Sequence, residues 1–151
     1  MIASASGYLA LFAVSFVAAT VFPAQSELVL AGMLVSGDYD AGLLLLVATV
    51  GNTAGACVNW LLGRFIHALQ GKRWFPFPER KLARAERWYR KWGKWSLLLS
   101  WAPVIGDALT VLAGVARVPL AIFVALVVVA KGGRYLVLAY SLSVALGRPL
   151  A

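Results

Sequence analysis

Two stretches of this chain are long and apolar enough to cross a lipid bilayer, and that fact constrains everything else. Ala41 to Leu69 and Pro119 to about Leu146 each exceed the roughly 20 apolar residues that a spanning helix needs. In hydrocarbon, backbone that is not helical is tolerated only where protein covers it or where it lines a wet cavity. The rest of the chain shares this character. Of its 151 residues, 62% are hydrophobic and only 13% are charged, against roughly a quarter charged in a soluble domain. An all-α integral membrane protein is expected, with residues 1–151 forming a single membrane domain.

Charge is segregated. The net charge is +8, yet the segment from Lys72 to Lys94 alone holds nine Lys or Arg and two Glu. Residues of about 71–95 therefore read as a basic connector between two apolar halves, about 7–70 and about 96–147. Within it, Leu82, Ala85, Trp88 or Tyr89, Trp92 and Trp95 recur at helical spacing, with Arg and Lys around them. That is the pattern of a helix lying in a membrane interface. Basic aromatic helices also bind nucleic acid, but membrane segments flank this one, so no nucleic-acid partner is expected. By the positive-inside rule the connector is cytoplasmic, with Arg80, Arg84 and Arg87 as anchors to anionic lipid. The first 22 residues lack a basic leader and a cleavage site, and are read as mature structure. The single Cys57 excludes an internal disulfide and reads as a packing residue.

The two remaining apolar stretches are broken. Gly7 to Val21 is too short to span comfortably, and Pro23 separates it from a second run, Leu28 to Val35. Ser96 to Ala116 is interrupted by Pro103, Gly106 and Asp107. Each pair of arms reads as a re-entrant helical hairpin followed by a spanning helix. The two breaks share a pattern of hydroxyl, two residues, Pro, three residues, acid: Thr20, Pro23 and Glu27, then Ser100, Pro103 and Asp107. Ala-Gly pairs at Gly32 and Gly114, and mid-helix glycines at Gly51 and Gly132, follow at an offset of about 80 residues. A unit with an odd number of crossings must reverse its orientation when repeated, so the expected architecture is an inverted repeat.

Glu27 and Asp107 then lie inside apolar surroundings, where an ionised carboxylate costs several kcal/mol or more unless it is compensated. Compensation is at hand in the last span. Lys131 and Arg134 stand three apart on one helical face. Two readings follow. Either the four groups form structural ion pairs, or the bases seat a lipid phosphate while the acids bind protons or gate the site. Gln25, Ser26, Ser100, Gly106, Pro23 and Pro103 flank the acids and are candidates to line such a site.

Gly51, Gly55, Asn59 and Gly63 recur every four residues along the first span, with Asn52 beside them. Small residues at this spacing let helices approach closely, so the seam predicts packing. Asn52 and Asn59 would alternatively line a lipid path, and the seam is compatible with self-association. Arg64 and Arg117 fall near the cytoplasmic ends and are expected to snorkel. His67 has no ligand cluster around it, so no metal is expected. Hydrolase, zinc-protease and P-loop motifs are lacking, and neither an enzyme nor a cofactor is indicated.

The segments FPAQSE, GNTAGACVNWLLGR, SWAPVIGDALTVLAGVAR and KGGRY, in this order and spacing, resemble the DedA family, also called the VTT-domain or SNARE-associated superfamily. The similarity covers nearly the whole chain and is closest to the small YqaA-like bacterial branch. It implies an inverted pair of re-entrant hairpins in a bacterial inner membrane. It also implies a role in moving phospholipids or polyprenyl phosphate between leaflets, in some members with dependence on the proton gradient. Other branches carry Arg-Phe-x-Pro-x-x-Arg at the second break, where this chain has Ser100 and Gly106, and an acid where it has Gln25. Lys131 and Arg134 are then the candidates to replace those arginines. The expected function is translocation of anionic phospholipid or undecaprenyl phosphate. The alternatives are a non-transporting scaffold that shapes the bilayer and, less favoured, an intramembrane enzyme acting on lipid.

Overall fold

The structure is a computed structural model that describes residues 2–19, 24–69, 79–102, 105–147 and 149. Among these the regular elements are all helical: α1 (Ile2–Ala18), α2 (Ala24–Ser36), α3 (Ala41–Leu69), α4 (Glu79–Trp92), a 3₁₀ helix (Gly93–Trp101), α5 (Ile105–Val115) and α6 (Leu120–Leu146). Two of them, α3 and α6, are long and apolar enough to cross a membrane. At 29 and 27 residues they extend for about 40 Å. The other apolar helices are short, as the broken runs require.

Local chemistry marks the boundaries. Asp40 caps α3, its Oδ1 accepting from the Leu43 N–H at 2.7 Å. Its own N–H donates to the Tyr8 hydroxyl at 3.1 Å and so ties the cap to α1. At the end of α5, the Val118 N–H donates to the Ala113 carbonyl and the Arg117 N–H to the Gly114 carbonyl. This paired closure leaves the residue after the helix left-handed. Here that residue is Arg117, at φ +56°, whereas α2 ends on Gly37 at φ +72°. The two left-handed residues stand 80 positions apart, the offset of the sequence motifs.

Helix α3 is the hub of the packing, and its glycines explain why. A Cβ at Gly51 would press on the Phe12 carbonyl and one at Gly55 on the Phe16 carbonyl, so α1 lies directly on this surface. Further along, Gly63 faces the Val111 carbonyl, and Gly114 of α5 faces the carbonyl of Trp60. Backbone thus meets backbone on both halves of α3, as the small-residue seam predicts.

Two apolar clusters result. One gathers Leu11, Leu30, Leu34, Leu44, Ala48, Tyr135 and Ala139. The other gathers Ala56, Trp60, Tyr89, Leu97, Ala113, Val118, Phe123 and Val127, with Cys57 packed against it. On α3 the gap between them covers Gly51 to Gly55, and on α6 it holds Lys131. Ser15, Ser26, Asn52, Thr53, Asn59, Ser96, Ser100 and Thr110 are the other buried polar side chains among the described residues.

Several sequence expectations need correction. Trp95 does not belong to the amphipathic helix, because Gly93 at φ +60° follows α4 and Trp95 lies on the 3₁₀ helix. Of the two aromatic candidates at the centre of α4, Tyr89 enters the core while Trp88 and Trp92 stay exposed. The glycines that mark the repeat also differ in environment. Gly32 meets nothing where Gly114 meets backbone, and Gly132 is in ordinary contact with Thr49 where Gly51 is crowded. The reason is position: α3 is covered by α1 and α5, while Gly32 points into open space on α2.

This packing gives a matched pair of expectations. Gly114→Val should lower the thermal midpoint in detergent micelles by an amount equivalent to about 1–3 kcal/mol or more, since rigid backbone must give way. Gly32→Ala should be neutral or stabilising by up to about 1 kcal/mol.

Candidate functional site

The four central charges come together as two cross-helix pairs. Lys131 is buried, with its Nζ 3.3 Å from Asp107 Oδ1 on α5. Arg134 Nε donates to Glu27 Oε1 on α2 at 2.5 Å. One turn of α6 therefore holds an acid from each of the two broken segments. Arg134 also donates through Nη1 to the Trp101 carbonyl at 3.0 Å, the last residue of the 3₁₀ helix. Helix geometry makes this possible, since residues three apart project from the same face. The two pairs differ in access. Lys131 and Asp107 side chains are 3% and 19% exposed, those of Arg134 and Glu27 11% and 30%.

A polar chain extends from the Glu27 side. The Asn52 amide nitrogen donates to the Tyr135 hydroxyl at 2.9 Å, and that hydroxyl donates to Ser26 Oγ at 3.1 Å. On the Asp107 side, Thr110 Oγ1 donates to the Asp107 carbonyl at 2.7 Å. Asn59 donates to the Ala19 carbonyl and to Thr110 Oγ1, at 2.8 and 3.3 Å. The two asparagines, two turns apart on α3, thus tie it to α6 through Tyr135 and to both broken segments through Ala19 and Thr110. Ser15 Oγ, Asn52 Oδ1, Thr53 Oγ1 and Ser100 Oγ are buried without a partner among the described residues. Water or a ligand ordinarily satisfies such groups.

Other candidates from the sequence fall at varied distances from this centre. Gln25 is exposed. Gly106 is buried, and a Cβ there would collide with the Ser100 carbonyl. A side chain at position 106 therefore does not fit this backbone without a shift. Arg84, Arg87 and Arg117 are exposed, and Arg64 is exposed with its guanidinium carbon 5.2 Å from the centroid of the Trp60 ring. Pro23, Pro103, Thr20 and the side chains of Arg80 and His67 lie outside the described residues. Tyr135 and Thr110 were missed at the sequence level. Tyr135 had a signal, being a polar side chain directly after Arg134 at mid-span rather than in an interfacial belt.

Beside the Arg134–Glu27 pair lies a groove of about 790 Å³. Leu98, Trp101, Val129, Val137 and Leu138 supply apolar walls, and Glu27 and Arg134 supply the charge. Its volume falls within the range of small-molecule sites, roughly 300–1,000 Å³.

The VTT domain model matches residues 22–144, which contain both ion pairs and the groove. The chain belongs to the VTT-domain family. It is 40% identical over 129 residues to the inner membrane protein YqaA of Escherichia coli, covering 85% of this chain and 86% of that one. The match to YqaA of Shigella flexneri has the same extent. A Haemophilus influenzae protein is 31% identical over 111 residues, covering 69% of this chain and 67% of its own. No solved structure matches. The chain is thus a VTT-family membrane protein, of a family linked to lipid handling.

Breaking a buried pair by removing one partner costs about 3–5 kcal/mol, whereas removing both leaves no uncompensated charge. Lys131→Met and Asp107→Leu should each lower stability in detergent, and the double variant should recover most of the loss. Additive losses in a double-mutant cycle would mean the two groups are not coupled. Tyr135→Phe should cost about 1–3 kcal/mol, because it strips Asn52 of its partner in the buried chain.

Proposed function

We propose that this VTT-domain protein translocates an anionic lipid, a phospholipid or undecaprenyl phosphate, between the leaflets of a bacterial inner membrane, acting as a transporter rather than an enzyme. The observation that carries this reading is the groove, whose apolar walls meet a guanidinium–carboxylate pair part-way along a spanning helix. Hydrocarbon walls suit acyl or prenyl chains, and a cation at that depth suits a phosphate. A phosphate far from water needs several kcal/mol of compensation. Lys131 and Arg134 would supply it by charge-assisted hydrogen bonds, Arg134 with a planar fork suited to two phosphate oxygens.

Both bases are engaged by carboxylates in this structure, so a phosphate has to displace them. Protonation of Glu27 and Asp107 would do so by neutralising the competing acids, which makes protons the coupling ion of this proposal. Glu27, the more exposed acid, borders the groove. In this reading the two broken segments are re-entrant hairpins of an inverted repeat, and the basic connector faces the cytoplasm. The common offset of the Pro-acid motifs and of Gly37 and Arg117 supports the repeat. The inner-membrane label of the Escherichia coli relative supports the location.

Proteoliposomes with a fluorescent anionic lipid and dithionite quenching test it. Wild type should flip the lipid, with the rate responding to a pH gradient. Glu27→Gln and Lys131→Ala, confirmed as folded, should each lose at least about tenfold in rate, the equivalent of one charge-assisted contact or more. A folded wild type that flips neither phosphatidylglycerol nor a polyprenyl phosphate overturns the proposal and favours a bilayer-shaping scaffold.

A further inference from the structure

We propose that Arg117 and Arg64 form a second phosphate-ester seat, at the end of the molecule where α3 and α5 meet the basic connector. It uses no residue of the central pairs. The first observation is conformational. Arg117 is the non-glycine residue at positive φ among the described residues, at +56°. The left-handed region disfavours any residue with a Cβ. After α2 the residue at positive φ is a glycine, Gly37, at φ +72°. The turn does not require an arginine, so the arginine stands there despite the turn. Strain of this kind clusters where a side chain has a task.

The second observation is independent. Arg64 lies over the Trp60 ring, and the Trp60 indole N–H donates to the Val118 carbonyl at 3.1 Å, the residue directly after Arg117. Gly114 packs against the backbone of Trp60 and Arg64 themselves. One indole thus links the helix that carries Arg64 to the turn that carries Arg117. Tyr89 of α4 belongs to the same buried cluster as Trp60 and Val118.

Among the acids with described pairs or positions, Asp38 and Asp40 stand at the other end of α3, and Glu27 and Asp107 are held by the bases of α6. Guanidinium groups carried by two elements that one indole joins suit a phosphate ester, which accepts forked hydrogen bonds. A lipid headgroup and a soluble compound both offer such an ester, and the test separates these.

The full chain in neutral detergent is titrated with phosphatidylglycerol or phosphatidylcholine in mixed micelles, or with soluble glycerol 3-phosphate, following the thermal midpoint. Wild type should respond saturably to phosphatidylglycerol and weakly to phosphatidylcholine. Arg117→Gly should move two readouts in opposite directions. Its unliganded midpoint should rise, because glycine fits the turn, while its apparent affinity for phosphatidylglycerol should fall about tenfold. Arg64→Gln should show the same loss of affinity, and Asp38→Asn, an exposed position at the other end of the molecule, should leave it within about twofold. An equal response to glycerol 3-phosphate supports the seat and assigns it to soluble esters. If Arg117→Gly binds phosphatidylglycerol like wild type, or if phosphatidylcholine binds equally well, the proposal is overturned. Because binding is read without transport, a failure of lipid flipping leaves this outcome readable.

Discussion

The Lys131 ammonium sits near the middle of a 27-residue apolar helix, 2% exposed, and most of the architecture follows from accommodating it. An unpaired charge in that position would not stay charged or would not stay buried. The partner, Asp107, begins the second arm of a broken segment, and the break is what carries a carboxylate to this depth. Arg134, one turn further on, repeats the arrangement with Glu27 from the other broken segment. The apolar packing is organised around this layer. On both long helices one cluster lies on each side of it, Leu44 and Ala48 against Ala56 and Trp60 on α3, Tyr135 and Ala139 against Phe123 and Val127 on α6.

Holding such a layer demands that the surrounding helices be close and immobile. The glycines of α3 serve this end, since they let the carbonyls of α1 and α5 approach the hub directly. Asn52 adds a directional bond from the hub to Tyr135 of α6, and Asn59 one to the Ala19 carbonyl at the end of α1. The two broken segments are not equivalent in this respect. The first begins with a regular α-helix of 17 residues, the second with a 3₁₀ helix of nine. A 3₁₀ run of that length is uncommon and often marks a hinge or strained sequence. Its last carbonyl, at Trp101, is held by Arg134, so the central guanidinium also braces the irregular segment. Any event that frees Arg134 from Glu27 thereby touches both broken segments at once.

The connector helix plays a more peripheral part. Its attachment to the core runs through Tyr89, buried with Trp60 and Phe123, while Trp88, Trp92 and Trp95 remain exposed beside Lys91 and Lys94. An aromatic and cationic surface of this kind is suited to the headgroup region, where amphipathic rings and basic side chains both find favourable surroundings. It places a charged collar at the end of the molecule opposite the Asp38–Asp40 turn.

Much of this was legible from the chain alone, for a definite reason. Hydrophobic run length marks α3 and α6, since nothing but burial or lipid accommodates such runs. Proline and glycine mark the breaks, because they act locally. Spacing by four predicts the α3 seam, and the isolation of Glu27, Asp107, Lys131 and Arg134 in apolar sequence marks them as mutual partners. What one-dimensional periodicity does not contain is which acid meets which base, since Lys131 and Arg134 share a face and either pairing satisfies the charge. That choice belongs to the packing of α2 and α5 against α6. The same holds for Tyr135, whose bonds to Asn52 and Ser26 join residues more than 80 positions apart, and for Gly114 and Gly32, identical in local sequence pattern but only one of them against backbone. Local chemistry thus determined where this chain is helical, where it breaks and where its charges fall. The tertiary structure alone decided which of those charges and small residues touch, because contact depends on how separate helices are brought together in space.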